Sequence, residues 1–387
     1  MILLKNADAF TPDHIGRRNI LIAGNTIESI REEEFDTGNL EITEIECSNL
    51  LAVPGFIDGH VHILGGGGEG GFKTRTPELK MTTLVKSGVT TVVGCLGTDG
   101  ITRTMENLIA KVYSLREEGV SAYCYTGSYQ VPIRTLTGSV ISDIMLLDPV
   151  IGVGEVAISD HRSSSPNLHE IARIGSEARV GGILSRKAGV VNCHMGDGSK
   201  GLSQILEVIN ETEIPITQFY PTHIARNEKL LNEAASYAKA GGYVDITTSL
   251  IPSPQRNSIT SAQAFKILLD SGAPVDRITM TSDGQGSMPQ FDENRNFRGM
   301  GLGLSDSLFK TVRESVINHG VEMSQALKAI TVNPSKVLNL PLKGQLLPGN
   351  DADIVLLEAE TLEISAVISG GKIMMLNKEL KCRDTFQ

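Results

Sequence analysis

Long apolar runs are missing from this chain of 387 residues, and no stretch approaches the roughly 20 residues that a membrane-spanning helix requires. The opening Met1-Ile2-Leu3-Leu4 is broken by Lys5 and Asp8, too short for the apolar centre of a secretory signal, so a cytoplasmic protein is expected. Cysteine is scarce. The five present (Cys47, Cys95, Cys124, Cys193, Cys382) are odd in number, widely spaced and without a Cys-x-x-Cys pair, which argues against a disulfide framework. They read as reduced thiols, core residues or spectators. An excess of positive charge is lacking too: the formal net charge of −10 leaves no broad basic face for nucleic acid or an anionic membrane, and a small-molecule partner is expected instead. No low-complexity segment and no Gly-x-x-x-x-Gly-Lys-[Ser/Thr] phosphate loop occurs. With 40% apolar and 21% charged residues, the chain has the composition of an ordinary folded protein, long enough for one large core and a small second domain.

What is present is an alternation. Short β-branched runs at 88–96, 121–129, 150–159, 189–194, 216–223, 243–249 and 278–283, with the run that ends at His62, make eight strands. Amphipathic stretches at 77–87, 104–118, 202–210, 228–239 and 262–271 lie between them, mostly closed by glycine as helix ends are. An α/β fold follows, with a (β/α)8 TIM-type barrel favoured over an open doubly wound sheet. Both ends differ in texture: residues 1–54 and 344–387 hold short β-like pieces separated by Gly and Asn turns. The economical arrangement is one small β-sandwich domain built from 1–54 plus 341–387, flanking a barrel of 55–340. Two independent terminal hairpins are the alternative, disfavoured because neither would be stable in water.

Chemistry is expected where barrel strands end. Phe56-Ile57-Asp58-Gly59-His60-Val61-His62 places two imidazoles two residues apart, hence on one face of an extended strand, and Gly65-Gly66-Gly67-Gly68-Glu69-Gly70-Gly71 follows as a loop that lets backbone approach a ligand. Glu155 in the fourth strand, His194, His223 and Asp283 complete a set of six metal-capable side chains from five strand ends, enough for two divalent ions. Taken singly, each is more often a structural hydrogen-bonding group. His14, His169 and His319 read as solvent-exposed, whereas His161 falls in a loop near the expected pocket.

This set resembles the amidohydrolase superfamily, whose opening and closing signatures are similar to Pro54-Gly55-Phe56-Ile57-Asp58 and Pro348-Gly349-Asn350-Asp351-Ala352-Asp353. More narrowly, Gly65-Gly66-Gly67-Gly68-Glu69, Thr126-Gly127-Ser128-Tyr129, Ala157-Ile158-Ser159-Asp160-His161-Arg162-Ser163 and His194-Met195-Gly196-Asp197 resemble the isoaspartyl dipeptidases over nearly the whole chain. One departure stands out. The family usually carries a carbamylated lysine in the fourth strand, where this chain has Val153-Gly154-Glu155-Val156-Ala157. A glutamate reaches about three bonds less far from its Cα, so the backbone must come closer, and a β-bulge including Gly154 would bring it there. The alternative is that Glu155 only forms a salt bridge, leaving one metal or none.

The resemblance implies metal-dependent hydrolysis of the β-aspartyl isopeptide bond of a dipeptide. Two divalent ions, Zn2+ before Co2+, Mn2+ or Ni2+, would be held by His60, His62, Glu155, His194, His223 and Asp283 and share a hydroxide at neutral pH. Asp283 would act as general base and then general acid, and the Tyr129 phenol would support the oxyanion. Glu69 would hold the substrate α-amino group and Arg162 and Arg226 its carboxylates, with Gly67, Thr98 and Ser287 completing the pocket. The family further implies a homo-oligomer, an octamer in the fullest form. Two other readings stay open: a cyclic-amide hydrolase of the dihydroorotase or hydantoinase kind, and a catalytically silent scaffold.

Overall fold

The computed structural model describes residues 1–36, 38–250, 259–291 and 297–386. Its centre is a row of parallel strands in chain order: Phe56–Val61, Val89–Gly94, Ser121–Thr126, Val150–Ile158, Val190–Met195 and Phe219–Thr222 form one six-stranded sheet, and Val244–Thr247 pairs with Ile278–Thr281. The row is curled. Ile224 N–H donates to Asp245 O, joining the sixth strand's end to the seventh strand, and His62 N–H donates to Gly284 O at 2.9 Å, laying the eighth against the first. Every residue of the first, second, fourth and fifth strands is buried, as expected of parallel strands covered on both faces.

The helices cover the outer face, and the sequence signals their starts. Asn167 and Glu170 form a reciprocal capping box on Leu168–Ser185, Thr260 and Gln263 do the same on Ser261–Asp270, and Asn227 caps Glu228–Lys239. Among the described residues, the long helices Leu168–Ser185 and Ser307–His319 lie outside the stretches that periodicity announced; in the first, Gly175, Gly181 and Gly182 interrupt the apolar stripe and lower helix propensity. Packing explains them: a Cβ on Gly182 would lie 2.7 Å from the Gly189 backbone at the start of the next strand. Among the described residues, no helix is long and apolar enough to cross a membrane.

Both chain ends contribute to a single nine-stranded sheet. Its path runs Glu379–Leu380, Lys372–Leu376, Ile364–Ser369, Ile354–Glu358, Leu50–Pro54, Ile2–Phe10, His14–Ala23 and Thr26–Arg31, with Thr43–Glu46 paired to Ile2–Phe10. Strand alternation divides its side chains. Ala52, Ile354, Leu356 and Ile368 join Leu4, Ile20 and Ile27 in a small core of their own, whereas Leu51, Val53, Val355, Leu357 and Val367 belong to the large core shared with the parallel row. At that seam, Lys343 Nζ donates to Asp353 Oδ2 (2.6 Å) and to Ser121 Oγ at the foot of the third strand, and also pairs with Asp351. The closing signature is therefore an anchor.

Candidate active site

The six candidate ligands converge at the C-terminal ends of the parallel strands. All are buried, and Glu155 lies at their centre. Its Oε2 is 2.8 Å from His60 Nε2 and 3.7 Å from His62 Nε2, while its Oε1 contacts His194 Nδ1 and lies 3.4 Å from His223 Nε2. Asp283 Oδ1 closes the group at 3.1 Å from His62 Nε2 and 3.8 Å from His60 Nε2. Two imidazoles are oriented from behind: His60 Nδ1 meets Asn192 Oδ1 at 3.0 Å, and His223 Nδ1 meets the Thr247 hydroxyl, which turns each Nε2 inward. His60 Nε2 and Asp283 Oδ1 are buried and make no well-aligned hydrogen bond, although Glu155 Oε2 and His62 Nε2 lie within ion-pair distance of them. Leaving such atoms unpaired costs about 1–3 kcal/mol each, and a divalent cation among them satisfies both. The donor set fits a metal centre.

Charge follows the geometry. Burial pushes Glu155 and Asp283 upward, but surrounding imidazoles outweigh it, His60 and His194 for Glu155 and His62 and His223 for Asp283, so both stay below the ordinary carboxylate range. Burial, helped by His194 and Arg226, pushes His223 down to about 3, which keeps it neutral with a lone pair to offer. His223 (φ 64°) and Asp283 (φ 51°) adopt left-handed backbone conformations, which cost of order 1–3 kcal/mol each for a non-glycine residue and are held by the surrounding strands.

Two candidate ligands owe their position to irregular pairing. Val191 pairs with Val153 and Cys193 with Val156, so Gly154 and Glu155 together oppose the single Asn192, the bulge that a short glutamate requires. The Gly154–Glu155 peptide is cis. In the first strand, Gly59 and His60 likewise oppose Val93 alone.

Above the cluster opens a cavity of about 690 Å³, lined in part by Gly67, Glu69, Thr98, Tyr129, Arg162, Arg226 and Ser287. The sequence-predicted pocket residues are thus brought together. Glu69 accepts from Thr98 Oγ1 (3.0 Å), Ser287 Oγ (2.9 Å) and Arg162 Nη1 (3.2 Å). Gly67 has φ 72° and sits so close to Ser287 that a Cβ would lie 3.1 Å from the serine Cβ. Tyr129 Oη is 2.8 Å from His194 Nδ1, and burial with the nearby Glu155 carboxylate holds its phenol well above the ordinary range, so it remains a donor. Arg226 Nη2 approaches His194 Nε2 at 3.5 Å.

Several functional neighbours were not anticipated. Asp160 binds Arg162 through two 2.9 Å bonds and reaches His194 Nε2 at 3.0 Å, and Asn192 and Thr247 orient the imidazoles as described. Cys95, read from sequence as a core residue or spectator, lies instead inside the ligand group. Its signal was its place at the end of the second strand. Burial would raise its thiol, but His60 and His62 reverse this and hold it below the usual range. His14 and His169 are exposed as expected, His319 is half-buried beside Glu314, and His161 stands at the cavity wall.

Residues 51–374 match the family model described as "Amidohydrolase family". A crystal structure of the β-aspartyl dipeptidase from Fervidobacterium islandicum AW-1 in complex with β-Asp-Leu dipeptide is 46% identical, with a TM-score of 0.91 and 99% of each chain covered. A second crystal structure of a β-aspartyl dipeptidase from the same organism is 43% identical, with the same TM-score and coverage. A dihydroorotase from Elusimicrobium minutum is 23% identical over 393 residues, covering 92% of this chain and 88% of that protein. A D-hydantoinase from a Thermus species shares the fold at a TM-score of 0.67 and 15% identity, covering 100% of this chain and 98% of its own.

Proposed function

The chain belongs to the amidohydrolase family, and from that premise we propose that it hydrolyses the β-aspartyl isopeptide bond of isoaspartyl dipeptides at the strand-end cluster. The observation that carries this reading is the Glu69–Arg162 pair, 3.2 Å apart on the wall of the cavity above the buried ligands. A β-aspartyl dipeptide presents an ammonium and two carboxylates around its scissile amide. In the free protein the acidic and basic clamps satisfy one another, and the substrate exchanges these partners for its own charges. Glu69 accepts the ammonium, with Thr98, Ser287 and the Gly67 backbone around it, and Arg162 and Arg226 take the carboxylates.

His60, His62, Glu155, His194, His223 and Asp283 would hold two divalent ions, and His and carboxylate donors suit Zn2+ first, then Co2+, Mn2+ or Ni2+. When bound, the ions supply a water whose pKa is lowered to about 7 and polarise the amide carbonyl. The protein's own groups do the rest. The Asp283 carboxylate takes a proton from the attacking water and returns it to the departing amide nitrogen. The Tyr129 hydroxyl donates to the oxygen that becomes negative, and Asn192 and Thr247 keep two imidazoles aimed. Around this centre the reading includes a closed (β/α)8 barrel over 55–340, a small sandwich of 1–54 plus 341–387, a cytoplasmic location and a homo-oligomer, by resemblance an octamer.

The experiment is release of free aspartate from β-Asp-Leu by the zinc-reconstituted protein, with α-Asp-Leu and dihydroorotate in parallel. Selective cleavage of β-Asp-Leu is expected. Cleavage of dihydroorotate alone would move the chain to the cyclic-amide branch, which has no use for an ammonium clamp at Glu69, and silence on all three would overturn the reading.

A further inference from the structure

One ligand-type atom from each of His60, His62, Cys95 and Glu155 lies within 4.8 Å of all the others. Cys95 follows the second strand directly, its N–H donating to Val61 O at 3.0 Å, and this places its side chain beside the His60-Val61-His62 strand end. Its Sγ is 3.9 Å from Glu155 Oε2 and 3.7 Å from His62 Nδ1. A second observation points the same way: His60 Nε2, wholly buried, faces this group without a well-aligned hydrogen bond, although Glu155 Oε2 lies 2.8 Å away. With Zn–N near 2.0 Å and Zn–S near 2.3 Å, the edges of a tetrahedral site are about 3.5 Å, and the 2.8, 3.7 and 3.9 Å separations around Glu155 Oε2 bracket that value.

We propose that Cys95 is a metal ligand, its thiolate joining His60, His62 and Glu155 around one ion. The other group, Glu155 with His194 and His223, holds no sulfur. The two halves of the centre are then chemically unequal. The sulfur-bearing half favours Zn2+, Co2+ or Cd2+ over Mn2+ or Mg2+, because soft thiolates select soft ions, whereas the nitrogen–oxygen half discriminates less. Loading the first half releases the thiol proton to solvent. The inference rests on the metal-centre reading above and gives the short Glu155 a companion donor.

The test uses the full chain, stripped of metal and reloaded. Cobalt should produce a near-ultraviolet sulfur-to-metal charge-transfer band that is absent from Cys95→Ser, and that variant should bind zinc at one of its two sites about 10-fold or more weakly, by metal titration. X-ray absorption on the zinc-loaded wild type needs no variant and should show a sulfur shell at about 2.3 Å. Two bound ions with neither band nor sulfur shell, or a band that persists in Cys95→Ser, would overturn the assignment while leaving the metal centre standing. A chain that binds no metal would sink the centre and Cys95 together.

Discussion

Asp283 holds a left-handed backbone (φ 51°) at the end of the eighth strand, fixed there because Ser282 N–H donates to Asp58 Oδ1 at 3.0 Å and Gly286 N–H closes onto the Asp283 carbonyl. That frame aims one carboxylate oxygen at His60 and His62 and keeps it anionic. Asp283→Asn removes the proposed proton acceptor with almost no change of shape, and kcat on β-Asp-Leu should fall by about 100- to 10,000-fold, the usual share of general acid–base catalysis. Tyr129 is proposed to act at another point, where charge develops on the carbonyl oxygen. Tyr129→Phe should lower kcat about 100-fold with a smaller change in KM, and an unchanged rate would remove the phenol from the mechanism. Residue types and strand-end positions made all six candidate ligands, which the fold brings together, legible in the sequence. Cys95, Asp160 and Asn192 were not, because a cysteine, aspartate or asparagine near a strand end has many ordinary uses, and only the folded register brings Cys95 Sγ to within 3.9 Å of Glu155.

At the level of elements, the first and fourth strands present the candidate ligands His60 and Glu155 from bulges, with two residues opposing one, at Gly59-His60 and Gly154-Glu155. A regular strand alternates its side chains strictly, and an extra residue re-aims one of them without altering the rest of the sheet. Gly154 makes the second bulge possible: a Cβ there would lie 2.9 Å from Asn192 Cβ and 3.1 Å from Asn192 O. Gly154→Ala is therefore expected to destabilise the fold by about 1–3 kcal/mol in urea unfolding. It should also disturb Asn192, which orients His60, so bound metal measured by mass spectrometry should drop as well. The fourth-strand bulge was foreseeable from the exchange of a long ligand for a short one. The first-strand bulge was not, because His60 and His62 already satisfied the simple spacing rule. Glycines concealed the helix Leu168–Ser185 for a related reason, since they serve packing at the expense of local propensity.

At the scale of the whole molecule, the terminal sheet and the parallel row are joined by a buried ion cluster. Lys343 loses stability of its charge to burial, but Asp353 and Asp351 outweigh that, so its pKa is raised above the ordinary 10.5. A raised folded-state pKa means the ammonium contributes its full stabilisation below pH 10.5 and loses it as pH climbs through the folded value. Unfolding in urea should show wild-type stability declining above that pH more steeply than Lys343→Met. At neutral pH the variant should be weaker by about 3–5 kcal/mol, because Asp353 is left buried and unpaired. The same seam imposes an order on biosynthesis. Pro54 pairs with Ile354, 300 positions later (354 minus 54), so a chain leaving the ribosome exposes the open edge of Leu50–Pro54 until the segment around Ile354 has been made. The parallel row can assemble during that interval, but the terminal sheet cannot close, and an unpaired apolar edge invites neighbouring chains to add to it. Translation that halts before Ile354 would therefore yield an aggregation-prone fragment rather than a shorter enzyme.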